Sequence, residues 1–476
     1  MTKSKPSNIR VRFAPSPTGY LHLGNLRTAL FNYLFARQQG GSLILRLDDT
    51  DMERSEEEFI QGIFEDLKFL GIDFDQGPFR QSERRALYEE KLDLLKSKGL
   101  VYPCFCSKET IENFRAKAKS QGRAYRYEGT CLSLSSSESQ DKVAAGDPYI
   151  LRFKVGEDNI SFHDLVWGEK QFSGSEIGDF ALTRSDGSPL YLFTSVVDDG
   201  DLKVSHVIRG EDGLSNTPRQ LLLWKALGYS IPQTAHLPLI LGSDRKLLSK
   251  RHGASSLREL RRQGYVKEAI LNSLVLLGWA PPEGREVLTL EEMIGLFNLE
   301  KVARHAAVMD FEKLNFFNAH YLRTISEKSF LEQALPFVPP AFEAEGLDKK
   351  ILHLRNNLHR LDELGDWLKV LEVFPDFHHK PWPEELKNQE SLSLIQLAIR
   401  SLKSESFFEE EAFKVYLKDL QKSSSLKGKK LFMPLRLALT GQEHGPELVK
   451  VFQLFDSVAL KERFQHAAKY LQQCVG

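Results

Sequence analysis

Cysteine is scarce, with four in a chain of 476 residues, too few for the disulfide framework of a small secreted domain. No apolar run approaches the roughly 20 residues of a membrane-spanning helix. The opening "MTKSKPSNIR" has neither the apolar core of an export signal nor an arginine- and serine-rich presequence. The expectation is a cytoplasmic protein without membrane contact. Charge of one sign is also lacking: 64 lysines and arginines face 65 aspartates and glutamates, so any polyanionic partner must be met by local patches. Neither the Walker loop nor Gly-x-Gly-x-x-Gly occurs, which removes the two common phosphate-binding loops. What is present is 41% hydrophobic and 27% charged residues, the make-up of a globular chain. The length fits roughly three domains.

The first hundred residues have a clear rhythm. "IRVRF" alternates, with Ile9, Val11 and Phe13 on one face of a half-buried strand. Leu26, Leu30, Tyr33 and Leu34 then recur at helical spacing until Gly40-Gly41. "SLILRL" reads as a buried strand ending in the acidic "DDTD". Ser55 and Glu58 are spaced as a capping box before a helix with Ile60, Ile63, Phe64 and Leu67 on its face. Strand, helix, strand, helix predicts a doubly wound parallel sheet. From Gly99 to Asp198 the pattern breaks up, and the serine-rich "LSLSSSESQD" reads as a low-complexity loop. The α/β pattern returns in "VSHVIRGEDGLSNTPRQLLLWKALG", so the first fold is expected to be split by an insertion. From about Ser256 the patterns are helical.

The loop "FAPSPTGYLHLGN", Phe13 to Asn25, joins a strand to a helix N-terminus, where free N–H groups and the helix dipole favour an anion. His22 there, with Gly24 allowing close approach, is placed to donate to a phosphoryl oxygen; the alternative is a capping or core histidine. Far downstream, "DRKLLSKRHGA", Asp244 to Ala254, is a glycine-flanked cationic loop. Its Lys246, Lys250 and Arg251 can neutralise charge on a triphosphate, or form an ordinary solvated loop.

Together these stretches resemble the paired His-Ile-Gly-His and Lys-Met-Ser-Lys-Ser signatures of class I aminoacyl-tRNA synthetases. With "LRLDDTDMERS", "VVDDGDLKVSHVIRGED" and "MDFEKLNFFNAHYLR", the chain is most similar to the bacterial glutamyl-tRNA synthetase family from Ile9 to about Arg323. The resemblance implies a Rossmann-type sheet over 8–98 and 197–245, split by an α+β acceptor-binding insert over 99–196. A signature-loop and stem-contact region over 246–325 and an all-α anticodon-binding region over 326–476 would follow. It implies an ATP-dependent ligase that forms glutamyl-adenylate and transfers glutamate to tRNA(Glu), with Mg²⁺ accompanying ATP. tRNA(Gln) stays open as an additional or alternative substrate. A monomer is implied.

By the same resemblance, His22, Gly24, Asn25, Ser249, Lys250 and Arg251 bind ATP, with His22 and Lys250 the catalytic pair. Arg12 and Arg209 take the carboxylates of glutamate, while Ser16, Asp48 and Tyr191 complete its pocket; Tyr191, read as a strand residue, has packing as its alternative. Asp48 stands where bacterial members usually carry glutamate, and Leu247 where the first signature lysine usually stands, which demotes Lys246. Cys104, Cys106 and Cys131, with Tyr127, resemble a zinc site of some relatives; three small cysteines without metal are the alternative. The basic "KSSSLKGKK", Lys422 to Lys430, reads as a flexible segment able to touch tRNA phosphates. A glutaminyl enzyme ordinarily ends in a β-barrel, and a tRNA-modifying paralogue lacks the anticodon-binding part. A non-catalytic RNA-binding relative would lack His22 or Lys250.

Overall fold

Glycines and prolines punctuate the early part of the chain, and between them strands and helices alternate. A computed structural model describes residues 8–50, 55–123, 125–127, 129–248, 256–342, 346–402, 410–445 and 447–475. Strand β1 (Arg10–Phe13), helix α1 (Leu23–Gln38), β2 (Ser42–Leu47), α2 (Glu57–Leu70), β3 (Gln76–Arg80) and α3 (Arg85–Ser97) follow in order. β1 and β2 run parallel from Arg10↔Ser42 to Phe13↔Leu45, and β2 is parallel to β3. Gly41 makes the turn into β2 feasible, because a Cβ there would meet the Ile9 carbonyl oxygen at 2.5 Å.

An insert follows. It holds β4 (Val101–Cys104), α4 (Lys108–Ser120), α5 (Ser136–Ala144), β5 (Ile150–Phe153), the hairpin β6 (Asn159–Asp164) and β7 (Gly168–Ser173), α6 (Gly174–Ile177) and β8 (Phe180–Ala181). β4, β5 and β8 form an antiparallel sheet. Helix α7 (Tyr191–Asp201) runs across the expected boundary at 196/197 and leads back to β9 (His206–Gly210), α8 (Thr217–Leu227) and β10 (Gln233–Leu237). β9 and β10 are parallel. β9 is tied to β1 just before its first residue: Ser205 N donates to Arg10 O at 2.9 Å, and Arg10 N donates to Ser205 Oγ at 2.8 Å. The parallel order is thus β3-β2-β1-β9-β10, with β6 joining β10 at Thr234↔Asp164. The order reverses between β1 and β9, and open α/β sheets bind ligands in the crevice at that reversal.

Three local expectations need correction. β1 is not half-buried: Val11, Arg12 and Phe13 are all buried, because the strand is interior to the sheet and covered on both faces. The Ser55/Glu58 capping box does not form. Helix α2 starts at Glu57 after Glu56, with no side-chain cap, and Glu58 instead accepts a hydrogen bond from the Tyr20 hydroxyl. The serine-rich stretch contains helix α5, because Ser135 and Glu138 form the reciprocal capping box.

By contact density the chain divides into 1–260 with 270–311, and 261–269 with 312–476. The expected 246–325 region is therefore shared between the two units. In the first, a continuous core joins Leu151, Phe153 and Phe180 of the insert to Ile44, Val207 and Trp224 of the parallel sheet region. In the second the described elements from Glu327 onward are helical, including Gln389–Ser401, Glu410–Ser424, Lys429–Thr440 and Ser457–Val475. Leu394, Ile395, Leu435, Phe452 and Phe464 fill its core. The segment Lys422 to Lys430 is not one flexible segment: Lys422 to Ser424 end one of these helices, Lys429 and Lys430 begin the next, and only 425–428 connect them. Its Lys429 and Lys430 are paired with Glu385 at 3.5 Å and Glu390 at 3.1 Å.

Candidate active site

Residues at the carboxyl ends of β1 and β9 and around the start of α1 surround a cavity of about 840 Å³. That is within the volume range of small-molecule sites. Arg12, Ser16, His22, Gly24, Asn25, Asp48, Tyr191 and Arg209 all line it. Eight residues predicted from separate stretches of sequence thus meet in one place. Ser249, Lys250 and Arg251 lie outside the described residues. Lys246 is exposed, and neighbouring Leu247 and Leu248 reach the cavity wall.

The α1 end of the cavity is organised by His22. It is the N-cap of α1 and its Nδ1 accepts from Gly24 N at 3.1 Å and Asn25 N at 3.3 Å. Asn25 Oδ1 accepts in return from His22 N at 3.3 Å. A Cβ on Gly24 would lie 3.0 Å from the imidazole, so the glycine makes room for the cap. Because Nδ1 is an acceptor, the proton of the neutral ring is on Nε2. Among the described residues Nε2 has no partner, leaving an N–H donor beside a helix N-terminus. Surrounding protein lowers the His22 pKa, an effect partly offset by Asp212. The capping alternative and the ligand-facing one are therefore compatible: one nitrogen caps and the other is available.

The opposite end is a network of arginines and aspartates. Fully buried Arg46 grips Asp48 through Nε at 2.6 Å and Nη2 at 3.2 Å, and reaches Asp199 through Nη1 at 2.6 Å. Arg12 joins Asp199 through Nε at 3.2 Å and donates from Nη1 to Ile208 O at 3.3 Å. Burial pushes the Asp48 pKa up to about 6; Arg46 opposes the rise, and Asp198 and Asp199 add to it. Asp48 is thus ionised at neutral pH and oriented by Arg46.

Arg209 differs from these arginines. It is buried and donates from Nε to His236 Nε2 at 3.0 Å. Its Nη2 donates to Gly213 O at 2.9 Å, Thr217 Oγ1 at 2.9 Å and Gln220 Oε1 at 2.6 Å. Every one of these acceptors is neutral. No acidic group among the described residues forms an ion pair with Arg209; burial lowers its pKa, opposed by the Tyr191 side chain, which hydrogen-bonds the guanidinium, and by the more distant Asp199. A buried cation lining a cavity without a counter-charge is a ready site for an anionic ligand. Tyr191 is not on a strand: it opens helix α7 and is 41% exposed at the cavity, so it does not serve the core.

Four residues of this network were not singled out by the sequence. Arg46 and Asp199 fall inside quoted stretches but have no role assigned to them there, and Asp164 and His236 lie on strands outside any of those stretches. Arg27, one helical turn after Leu23, also lines the cavity. It donates to Leu277 O at 3.0 Å and to Pro238 O, and burial brings its pKa down to about 10.

In the insert, Cys104, Cys106 and Cys131 hold their sulfurs within 4.8 Å of one another. The Tyr127 hydroxyl lies 3.3 Å from Cys104 Sγ and 3.4 Å from Cys106 Sγ, and accepts from Cys131 N at 2.9 Å. The predicted set is therefore assembled. Burial pushes the Cys106 thiol up to about 11. For Cys104 burial acts in the same sense, but hydrogen bonds from Tyr127 and Arg152 outweigh it and bring the pKa down. Arg152 also lies over the Tyr127 ring at 3.9 Å.

Residues 8–316 match the family described as "tRNA synthetases class I (E and Q), catalytic domain", and residues 329–468 match "Anticodon binding domain". A glutamate–tRNA ligase of Sulfurihydrogenibium is 41% identical over 97% of this chain and 99% of its own. The chain belongs to the glutamate–tRNA ligase family. The ligase of Aquifex aeolicus is 44% identical, over 92% of this chain and 94% of its own. The solved glutamate–tRNA ligase of Elizabethkingia meningosepticum, described in complex with its amino acid, superposes with a TM-score of 0.85 at 30% identity. It covers 98% of this chain and 100% of its own. Within this family the reversal of strand order, the capped α1 terminus and the arginine-rich pocket belong to the catalytic domain, and the helical C-terminal residues to the anticodon-binding domain.

Proposed function

We propose that the cavity binds glutamate at its arginine end and the triphosphate of ATP at the α1 end, so that one strand-to-helix turn serves both substrates. As a family member the chain attaches L-glutamate to tRNA in two steps. A glutamate carboxylate oxygen attacks the α-phosphorus of ATP and pyrophosphate leaves; the terminal adenosine hydroxyl of the tRNA then attacks the acyl carbonyl and AMP leaves. The observation that carries the reading is Arg209, a buried guanidinium without an acidic partner, lining one cavity with the ionised Asp48. That pattern is complementary to an amino acid with an extra negative charge.

In this assignment Arg209 takes the side-chain carboxylate, because a site with an uncompensated cation loses more by accepting a neutral amide. Arg12, whose Nη2 has no partner among the described residues, takes the other carboxylate. Asp48 receives the ammonium, while Ser16 and Tyr191 line the pocket. His22 Nε2–H, with Gly24 and Asn25 at the helix N-terminus, meets the phosphates. Ser249, Lys250 and Arg251 would close over them, and Lys250 would offset the charge developing in the pentacoordinate transition state. Mg²⁺ enters with ATP, held by the phosphates. This is catalysis by positioning and electrostatics.

The enzyme is further read as cytoplasmic and monomeric, with tRNA(Glu) as its acceptor. Charging of purified tRNA(Glu) and tRNA(Gln) with labelled glutamate tests the acceptor. Charging of tRNA(Glu) is expected; charging of tRNA(Gln) alone would overturn the assignment.

For zinc, three thiolates and a tyrosine oxygen form a donor set of the right number and softness. Cys104, Cys106, Tyr127 and Cys131 would hold it, with Arg152 offsetting the negative charge of the ligands. Elemental analysis should find about one zinc per chain, reduced in both Cys104→Ser and Tyr127→Phe. Zinc-free protein of undiminished stability would leave a plain cysteine cluster.

A further inference from the structure

We propose that Asp164 and His236 act as positioning residues for glutamate binding, holding the Arg209 guanidinium in the one orientation that presents its remaining nitrogen, Nη1, to the amino acid. The proposal rests on the reading of Arg209 as a carboxylate ligand and adds what keeps it there.

His236 and Asp164 are fully buried and face each other, with His236 Nδ1 at 2.6 Å from Asp164 Oδ2. The other carboxylate oxygen of Asp164 accepts from the backbone nitrogens of Val166 at 3.1 Å, Trp167 at 3.0 Å and His236 at 3.3 Å. A carboxylate satisfied in this way is fixed and charged. It places the His236 proton on Nδ1 and so leaves Nε2 as an acceptor. Arg209 Nε donates to that nitrogen at 3.0 Å, and the Thr217 hydroxyl lies 3.1 Å from it.

The consequence for Arg209 follows from guanidinium geometry. Nε is held by His236, and Nη2 by Gly213, Thr217 and Gln220. Gln220 is itself braced, donating to Ser195 Oγ at 3.0 Å. With two nitrogens of a planar fork fixed, the third has no freedom to turn away, and Nη1 is left for the cavity, where the Tyr191 side chain also meets the guanidinium. The opposite His236 tautomer would set N–H against N–H and release Nε. Asp164 excludes that tautomer.

The relay also crosses the insertion. Asp164 ends strand β6 of the insert, and His236 lies in β10 of the parallel sheet, with Thr234↔Asp164 as their point of pairing. Trp167 Nε1 donates to His236 O at 2.9 Å, so the turn after β6 grips the histidine from both its side chain and its backbone. The bound state of Arg209 therefore depends on a residue from the insert.

Steady-state glutamate activation by full-length protein, with tRNA and ATP present, tests this with paired substitutions. His236→Gln can offer a carboxamide oxygen near the position of Nε2, whereas the shorter His236→Asn cannot reach Arg209. The expected result is a KM for glutamate raised about 10- to 30-fold in His236→Asn and at most about 5-fold in His236→Gln. In both, kcat and the KM for ATP should stay within about threefold, since only binding pre-organisation is removed. Equal effects of the two variants, or a loss falling on kcat or on ATP, would overturn the proposal. Arg209→Gln measured in parallel separates the two claims. If it leaves the KM for glutamate unchanged, the assignment of Arg209 fails; if it raises that KM while both His236 variants do not, only the relay fails.

Discussion

Replacing Arg209 with glutamine should raise the KM for glutamate by roughly 30- to 150-fold, equivalent to about 2–3 kcal/mol for a lost charge-assisted contact. The KM for ATP should change little, because the proposed assignment puts the nucleotide at the other end of the cavity. Arg209 is buried and its partners are neutral, so in the free protein it carries a desolvation cost that no ion pair repays. The substitution removes that cost along with the ligand contact. Thermal stability of the unliganded protein should change little, because the lost hydrogen bonds to His236, Gly213, Thr217 and Gln220 offset that relief, while glutamate affinity falls, the signature of a residue kept for binding. Discrimination against glutamine should also weaken, since the charge that favours a carboxylate is gone. Activation kinetics with both amino acids, alongside thermal melts, check all of these effects. A variant that loses stability and leaves the glutamate KM unchanged would make Arg209 a structural residue.

His22 should show the converse separation. Its Nδ1 caps α1 and its Nε2–H is available to the nucleotide, so two functions can be removed one at a time. His22→Ala removes both: about 1 kcal/mol of capping, or a melting shift of about 1–2 °C for a unit of this size, and a fall in kcat of about 10²–10³, the cost of one transition-state donor. His22→Asn restores a good cap without an imidazole donor at the same reach. The expected outcome is wild-type stability with activity still down by about 10²-fold. Recovery of activity together with stability would mean that capping is the whole role of this histidine.

Part of this arrangement was legible in the sequence because several of the residues assigned to substrates follow a punctuated loop, whereas Arg12 and Arg209 lie on strands and Tyr191 on a helix. "FAPSPTGYLHLGN" announces a strand-to-helix turn through its prolines and glycines, and His22, Gly24 and Asn25 meet at the helix N-terminus as that turn requires. The residues that hold these groups in place were not legible. Arg46 and His236 lie within buried strands, where composition shows an isolated polar residue and nothing about its partner. Asp164 and His236 are 72 positions apart, and only the folded sheet brings them together. The capping boxes make the same point locally. Ser55/Glu58 and Ser135/Glu138 share the same spacing, yet only the second forms, because Glu58 is engaged by Tyr20 from another part of the chain. Tyr191 follows a proline-containing turn and precedes a hydrophobic stretch, which suits a strand as well as a helix. The helix places it where its ring borders the cavity.

The central claim is that the charge pattern of this one cavity selects glutamate for attachment to tRNA. Its most direct measurement is tRNA-dependent ATP–pyrophosphate exchange by the purified full-length protein, run with glutamate and with glutamine at matched concentrations. Exchange with glutamate at least about 100-fold faster than with glutamine is predicted from an uncompensated Arg209 facing a carboxylate rather than an amide. Exchange supported by glutamine and not by glutamate would contradict it.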